Sequence, residues 1–312
     1  MKKIIVTGGL GFIGSNLIDL LISKNYFVLN IDKVSYSSNF YNVKDHKKSK
    51  KYKFIKCDIK SKNIIKLLYK YKPTAIFNLA AETHVDRSID DPKNFIESNI
   101  IGVYNLLESF KKYSGKYKSK LIHISTDEVF GDILNGRSSE AYPYKPSSPY
   151  AASKAASDHL VSSYVRTYKL PAIITNCSNN YGPWQFPEKL IPLIIARGLK
   201  NQNMPIYGTG KNIRDWLYVE DHIKALVKIS KIGKVGETYN IGGDEECTNL
   251  KIVNLICKNL DKKFPKKAPH KRLIKFVKDR KGHDFRYSVN YNKISRELKF
   301  KPSIKLKIGI KR

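Results

Sequence analysis

Apolar runs and segments of helical period alternate through the first half of the chain. The spacing predicts strands at 3–7, 26–31, 53–57, 74–79, 120–125 and 171–177, and helices near 12–23, 62–71, 93–112 and 149–168. The strand segments are almost continuously apolar, the pattern of a parallel sheet buried on both faces by the helices that connect its strands. The expected fold class is α/β, a Rossmann-type doubly wound parallel sheet. Past about residue 180 the rhythm loosens: Pro183, Pro187, Pro192 and Pro205 interrupt it, and polar segments such as YGTGKNIRDW intervene. We expect a main domain over 1–180, to which later segments return, and a smaller interleaved C-terminal lobe mainly over 181–312, with no low-complexity tether between them.

Composition changes this picture little. At 312 residues the chain can bury a full core. No stretch reaches the roughly 18 apolar residues of a membrane span, and Met-Lys-Lys runs straight into strand-like IIVTGG without a cleavable signal. A soluble, cytoplasmic protein without a membrane partner is expected. Cys57, Cys177, Cys247 and Cys257 are scattered with no CxxC pair, which argues against a metal site and against a disulfide framework. The formal charge of +31 points towards anionic partners. Its lysines, however, are spread along the whole chain among many Ile, Asn and Tyr, with no zinc-finger or RNP signature, so a composition bias is the preferred reading and no specific nucleic-acid partner is expected. An anionic small substrate would still be drawn by such a field.

TGGLGFIG, residues 7–14, lies between the first predicted strand and the first helix. Gly8, Gly11 and Gly14 there allow a tight turn and close approach of the backbone to a pyrophosphate, while the helix N-terminus supplies N–H donors. Phe12 and Ile13 lie inside the same loop. Asp32 closes the second strand, where a ribose-binding acid is expected, and its charge favours NAD over NADP; the adjacent Lys33 tempers that choice. Asp58 and Ile59 after the third strand, and Leu79, Ala80 and Ala81 after the fourth, are placed to line the adenine and central parts of the cofactor. Ordinary strand-end packing is the alternative for each of these.

Tyr150 and Lys154 in SSPYAASK stand one helical turn apart on one face, with Ser148 as N-cap and Pro149 as first helical residue. The helix dipole and the lysine cation are expected to favour the phenolate and lower the tyrosine pKa, which makes Tyr150 a candidate general base. One βα step earlier, LIHISTDEVFGD ends a buried strand in Thr126 followed at once by Asp127 and Glu128. Two adjacent carboxylates at the rim of a core are costly unless paired or used, and a simple turn is the bland alternative.

The set TGGLGFIG, NLAAETHVDRS, STDEVFGD, PSSPYAASKAASDHL, NCSNNYGPWQFPEKLIP, PIYGTGKNIRDWLYVEDH, ETYNIGG and DRKGHDFRY resembles the dTDP-glucose 4,6-dehydratase family of extended short-chain dehydrogenases/reductases, in order and over nearly the whole chain. The resemblance implies a redox-neutral lyase with NAD that makes a 4-keto-6-deoxy sugar nucleotide for deoxysugars such as rhamnose. It implies that Tyr150 accepts the C4 hydroxyl proton, with Lys154 and Thr126 assisting. Glu128 then removes the C5 proton and Asp127 protonates the departing C6 hydroxyl. Like-charge crowding is expected to push the two carboxyl pKa values apart.

The resemblance also assigns Thr83, Asn99, Ser125 and Asn179 to the cofactor. To the sugar nucleotide it assigns Thr83, His84, Asn180, Glu188, Lys189, Leu190, Pro205, Tyr207, Arg214, Asn249, Arg280, His283 and Tyr287. An arginine fork suits a diphosphate because it pairs two oxygens at once. It further implies a homodimer formed through the helices near 93–112 and 149–168. The segment DILNGRSSEAYPYKPSS is shorter than in many relatives. The chain stops at KPSIKLKIGIKR, where the family normally continues into a closing helix; if that helix is absent, weaker packing of the C-terminal lobe is expected, with the active-site motifs complete upstream. A UDP-sugar 4-epimerase or another nucleotide-sugar dehydratase is the alternative reading, and the acids at 127 and 128 speak against the epimerase. A basic nucleic-acid-binding protein on the same scaffold is disfavoured by the intact Thr126, Asp127, Glu128, Tyr150 and Lys154.

Overall fold

The computed structural model describes residues 1–312. The first half alternates β1 (Lys3–Thr7), α1 (Phe12–Ser23), β2 (Phe27–Asp32), β3 (Tyr52–Lys56), α2 (Asn63–Tyr71), β4 (Ala75–Asn78), α3 (Val85–Asp90), α4 (Lys93–Phe95), α5 (Gly102–Ser114), β5 (Lys120–Thr126), α6 (Pro149–Tyr168) and β6 (Ala172–Cys177). These bounds lie within a residue or two of the expected ones, with two exceptions. The helix expected as one piece over 93–112 is broken by a π-helical stretch at Ile96–Ile101, and the short α3 has no counterpart in the apolar spacing.

The second half continues with β7 (Asn179–Tyr181), α7 (Leu190–Leu199), β8 (Met204–Tyr207), β9 (Ile213–Tyr218), α8 (Val219–Ile232), β10 (Thr238–Ile241), β11 (Glu246–Thr248), α9 (Asn249–Lys263), β12 (Ile274–Val277), α10 (Asn292–Leu298) and α11 (Leu306–Lys311). Seven strands form one parallel sheet in the order β10-β6-β5-β4-β1-β2-β3. The order reverses beside β1, as in a doubly wound sheet.

Alternation along each strand feeds two cores. Ile4 and Val6 of β1 and Ile122 and Ile124 of β5 join one apolar cluster, while Ile5 and Leu121 join the other. Covering both faces removes nearly all strand side chains from water, which is why these segments read as continuous apolar runs. The chain beyond residue 180 builds both lobes. β10 and α8 return to the large sheet, whereas β7, β9 and β11 form a three-stranded sheet and β8 and β12 a two-stranded one over a separate core that includes Ile194, Trp216 and Ile256.

The C-terminal segment closes against α8 and β7. Asp221 of α8 accepts from the Ser303 and Ile304 N–H groups at 2.7 Å each and from the Ser303 hydroxyl at 2.8 Å. Gly309 lies so close to the Tyr181 ring that a Cβ would collide with it.

Candidate active site

A cleft opens at the carboxyl ends of β1, β2, β4, β5 and β6, the end of the sheet where ligands bind in this architecture. Its floor is the loop between β1 and α1. A Cβ on Gly8, which has φ +70°, would meet the Ala80 backbone at 2.8 Å, so that glycine serves packing. A Cβ on Gly11 would touch only the Gly8 carbonyl oxygen at 3.3 Å, so the backbone there is open to a close ligand.

Asp32 is buried at the end of β2. It accepts from the Leu10 N–H at 3.0 Å, the Val34 N–H at 2.8 Å and the Ser38 hydroxyl at 2.9 Å, which fixes its carboxylate facing the cleft. Lys33 pairs with Glu82 at 2.6 Å and donates to Ser98 at 2.7 Å. Its charge is therefore already engaged. Phe12, Ile13, Asp58 and Ile59 line the same half of the cleft, as do Leu79, Ala80, Ala81 and Thr83. Asn179 Oδ1 and Gln185 Oε1, both on the cleft wall, are buried with no partner in the chain. Orphaned acceptors of this kind call for a polar ligand, so the residues present fit a dinucleotide.

At the other end, Thr126 caps the turn Asp127–Phe130 by accepting the Glu128 N–H at 3.3 Å, and its hydroxyl donates to Asp127 Oδ1 at 3.2 Å. This cap puts two successive carboxylates at the mouth of β5. Their surroundings differ. Asp127 is 3% exposed and its Oδ2 has no partner. Burial pushes its carboxyl well above the ordinary range, and Glu128 and Asp215 add to that, with Arg214 and the Thr126 hydroxyl opposing. Burial also raises Glu128, but Lys189, Arg214 and Arg280 all pull it back down. Desolvation rather than like-charge crowding is thus the first cause of the high Asp127 pKa, and at Glu128 three cations oppose the rise that burial produces.

Ser148 caps α6 by accepting the Ala151 N–H at 3.1 Å, and Pro149 opens the helix, so Tyr150 sits in its first turn. The expected lowering of the tyrosine pKa is not found. Tyr150 is buried, and burial followed by the Glu128 charge pushes it well above its ordinary value, with the Thr126 hydroxyl acting the other way. Lys154 Nζ donates instead to the Ile124 carbonyl at 2.7 Å. Burial therefore favours the phenol form of Tyr150.

The GDP-mannose 4,6 dehydratase family matches residues 5–312. The dTDP-glucose 4,6-dehydratase of Salmonella typhimurium is 48% identical over 99% of this chain and 91% of its own length. That of Haemophilus influenzae is 48% identical over 100% and 96%. The chain belongs to the dTDP-glucose 4,6-dehydratase family. In three dimensions it is similar to the dTDP-glucose 4,6-dehydratase of Streptomyces venezuelae, crystallised with NAD bound, with a TM-score of 0.93 at 38% identity over 99% of this chain and 95% of that one.

In this member of the dTDP-glucose 4,6-dehydratase family the second lobe surrounds the acid pair with cations. Arg280 holds Asp86 through two bonds of 2.6 and 3.0 Å and stacks over the Tyr207 ring at 5.3 Å. Tyr207 also donates to Asp86 at 3.3 Å and meets the His283 ring edge-on. Arg214 lies 4.3 Å over the Tyr287 ring and donates to the Asp284 carbonyl at 2.9 Å. Lys189 donates to the Thr83 carbonyl at 3.0 Å. His84 caps α3 and faces Glu188 at 3.6 Å.

Ser125 and Asn180 reach the cleft with Thr126. Leu190 and Pro205 are half-buried at the starts of α7 and β8, and Asn249 opens α9 with its N–H donated to the Asn212 carbonyl at 3.0 Å. Asn99 does not line the cleft. Its amide is consumed by the Glu82 N–H, the Glu82 carbonyl and the Ser153 hydroxyl at 2.9, 3.0 and 2.9 Å, so it buttresses the wall from behind. Ser35, Ser37, Ser38, Phe186 and Gln185 do line the cleft and are not assigned by the sequence motifs. The only hint is position: SYSS follows the ribose-binding acid, and Gln185 and Phe186 precede Glu188 in one motif.

Proposed function

We propose that the protein catalyses the redox-neutral dehydration of dTDP-glucose to dTDP-4-keto-6-deoxyglucose, with NAD bound along the glycine loop, Asp32 and Lys33. The observation that carries this reading is the acid pair itself: Asp127, buried with Oδ2 unpartnered, and Glu128, in the field of Lys189, Arg214 and Arg280, line one cleft with Tyr150. NAD, when bound, supplies the hydride acceptor for C4, the hydride donor for C6 and a positive ring charge in the cleft. The chain's own groups move the protons.

The Thr126 hydroxyl holds the C4 oxygen and Tyr150 accepts its proton. The resulting ketone acidifies C5–H, Glu128 takes that proton, and Asp127 gives its own to the C6 hydroxyl, which leaves as water. Glu128 returns a proton to C5 as C6 is reduced, and the proton held by Tyr150 resets Asp127 through solvent. A 4-epimerase has no use for a carboxylic acid and a carboxylate side by side. Mass spectrometry of the sugar nucleotide after incubation with dTDP-glucose, and in parallel with UDP-glucose, tests this. Loss of one water from the dTDP sugar is expected, and an unchanged mass with epimerisation at C4 would refute it.

We assign the cofactor to 1–180 with its returning segments and the sugar nucleotide mainly to 181–312. The exposed Ile96, Ile101, Tyr104 and Tyr168 support a homodimer through this helical face, and a monomer in sedimentation equilibrium would refute it. Four free thiols fit the cytoplasm, and no helix is long and apolar enough to cross a membrane.

A further inference from the structure

A connected set of buried polar groups runs beneath the cleft from β1 to α6. The Ala80 N–H donates to the Thr7 hydroxyl at 3.2 Å, which donates to Asn78 Oδ1 at 2.7 Å. The Asn78 amide nitrogen stands 3.1 Å from His123 Nδ1. Since Asn78 Oδ1 is the acceptor for Thr7, its nitrogen is the donor, and His123 must carry its proton on Nε2. That Nε2 lies 3.1 Å from Ser157 Oγ and 3.4 Å from Asp158 Oδ1. Asp158 Oδ2 accepts from the Ser125 hydroxyl at 2.6 Å and the Tyr144 hydroxyl at 3.1 Å. Ser157 passes its own hydroxyl hydrogen on to the Lys154 carbonyl at 2.8 Å, so the series from Thr7 runs into α6 beside Asp158, a carboxylate that is 1% exposed.

Asp158 follows Tyr150 and Lys154 at successive helical turns, so the three share one face of α6. We infer that Asp158 is a positioning residue for the reaction: it ties the acid-bearing end of β5 to the helix that carries Tyr150 and Lys154, and, one helical turn beyond Lys154 and without a direct ion pair to it, it places a buried negative charge in the field of that ammonium. Lys154 is 4% exposed and is bonded to a neutral carbonyl. A buried ammonium needs a negative partner in its field. Asp127 and Glu128 must change charge during the reaction and cannot hold that partnership steadily.

The other groups around the lysine are few. On β5 there is His123, kept neutral by burial and by Lys154 itself. Cys177 on β6 is held as a thiol by burial. On α6 there is Tyr150. Of the remaining carboxylates on the elements packed against α6, Asp90 is exposed, Asp86 is taken by Arg280, Glu97 by Lys60, and Glu108 by Lys111 and the Tyr164 hydroxyl. Burial lowers the Lys154 pKa, and Asp158 is the first group that restores it.

The test is Asp158→Asn, which keeps the volume and one acceptor, and it rests on the proposed function for one of its two readouts. The pH profile of cofactor reduction after mixing with dTDP-glucose should have its alkaline limb moved about one unit or more to lower pH, since Lys154 loses its proton earlier. In urea melts the variant should lose most stability near neutral pH, and the gap to the wild type should narrow as pH rises and the uncompensated ammonium is neutralised. An unshifted profile together with a gap that does not depend on pH would reduce Asp158 to a packing residue and overturn the inference. If wild-type protein fails to reduce cofactor on dTDP-glucose, the proposed function falls, while the melts still decide the role of Asp158.

Discussion

Replacing Asp127 with asparagine keeps the side-chain volume and removes only the titrating proton. Asp127 Oδ2 has no partner and Oδ1 has only the Thr126 hydroxyl at 3.2 Å, so the ionised form is poorly supported. The folded pKa lies above the unfolded value of 3.8. Its contribution to stability is therefore fully present below pH 3.8 and lost as pH rises through the folded pKa. The Asp127→Asn side chain does not titrate and escapes that loss. Its unmatched amide costs about 1–3 kcal/mol, against the several kcal/mol that keeping the proton on Asp127 costs at neutral pH, where the unfolded chain is ionised. The net gain at neutral pH should be on the order of 1–2 kcal/mol, or ~2–6 °C in melting temperature. Loss of a general acid costs ~10²–10⁴-fold, and here that loss falls on water elimination alone. Stopped-flow absorbance should show reduced cofactor accumulating on dTDP-glucose while mass spectrometry shows no dehydrated sugar. Equal loss of cofactor reduction and dehydration, or a melting gain that is the same at pH 4 as at pH 7, would refute the reasoning.

Glu128→Gln should likewise reduce cofactor and stall before water loss, whereas Tyr150→Phe should abolish even the reduction; equal effects on reduction would contradict the separate roles. Gly11→Ala should leave the melting temperature within about 1 °C but weaken NAD binding at least about tenfold by equilibrium titration, because its methyl enters the cleft rather than the protein. Gly8→Ala should instead fail mainly in stability. His222 is fully buried with Nδ1 2.9 Å from Asn180 Oδ1, and burial pushes it down to about 3 from 6.5. Stability is thus full above pH 6.5 and falls as pH drops towards 3. His222→Gln should flatten acid unfolding across that window, measured by fluorescence.

Six of the seven strands of the large sheet were legible, most of them because they are buried on both faces and so spell themselves as apolar runs; β5 and β6 are recognisable for that reason alone, while the short edge strand β10 was not expected. β7, β11 and β12 were not, since strands of three or four residues in a half-exposed lobe carry too few positions for any period. The π-helical break at Ile96–Ile101 is equally silent, because the sequence on either side keeps an acceptable helical pattern. Among site residues, the glycine loop, Asp32 and the Tyr150–Lys154 pair announced themselves through fixed spacing. Asp86 and Asp158 did not: each matters through a partner distant in sequence, Arg280 for one and Ser125 and His123 for the other.

The acid pair shows why spacing cannot assign roles within it. Asp127 and Glu128 are neighbours with nearly the same intrinsic chemistry, and either order of acid and base is conceivable from the sequence. The assignment comes from what each faces. Asp127 turns into the core, near Asp215, while Glu128 faces Lys189, Arg214 and Arg280, all supplied by the lobe beyond residue 180. Those cations are themselves held by contacts across the cleft, Arg280 by Asp86 and Lys189 by the Thr83 carbonyl. Docking of the second lobe therefore does two things at once: it builds a cationic wall suited to a diphosphate, and it lowers the Glu128 pKa relative to Asp127. A variant that loosens the Asp86–Arg280 contact should weaken substrate binding and also blur the distinction between acid and base.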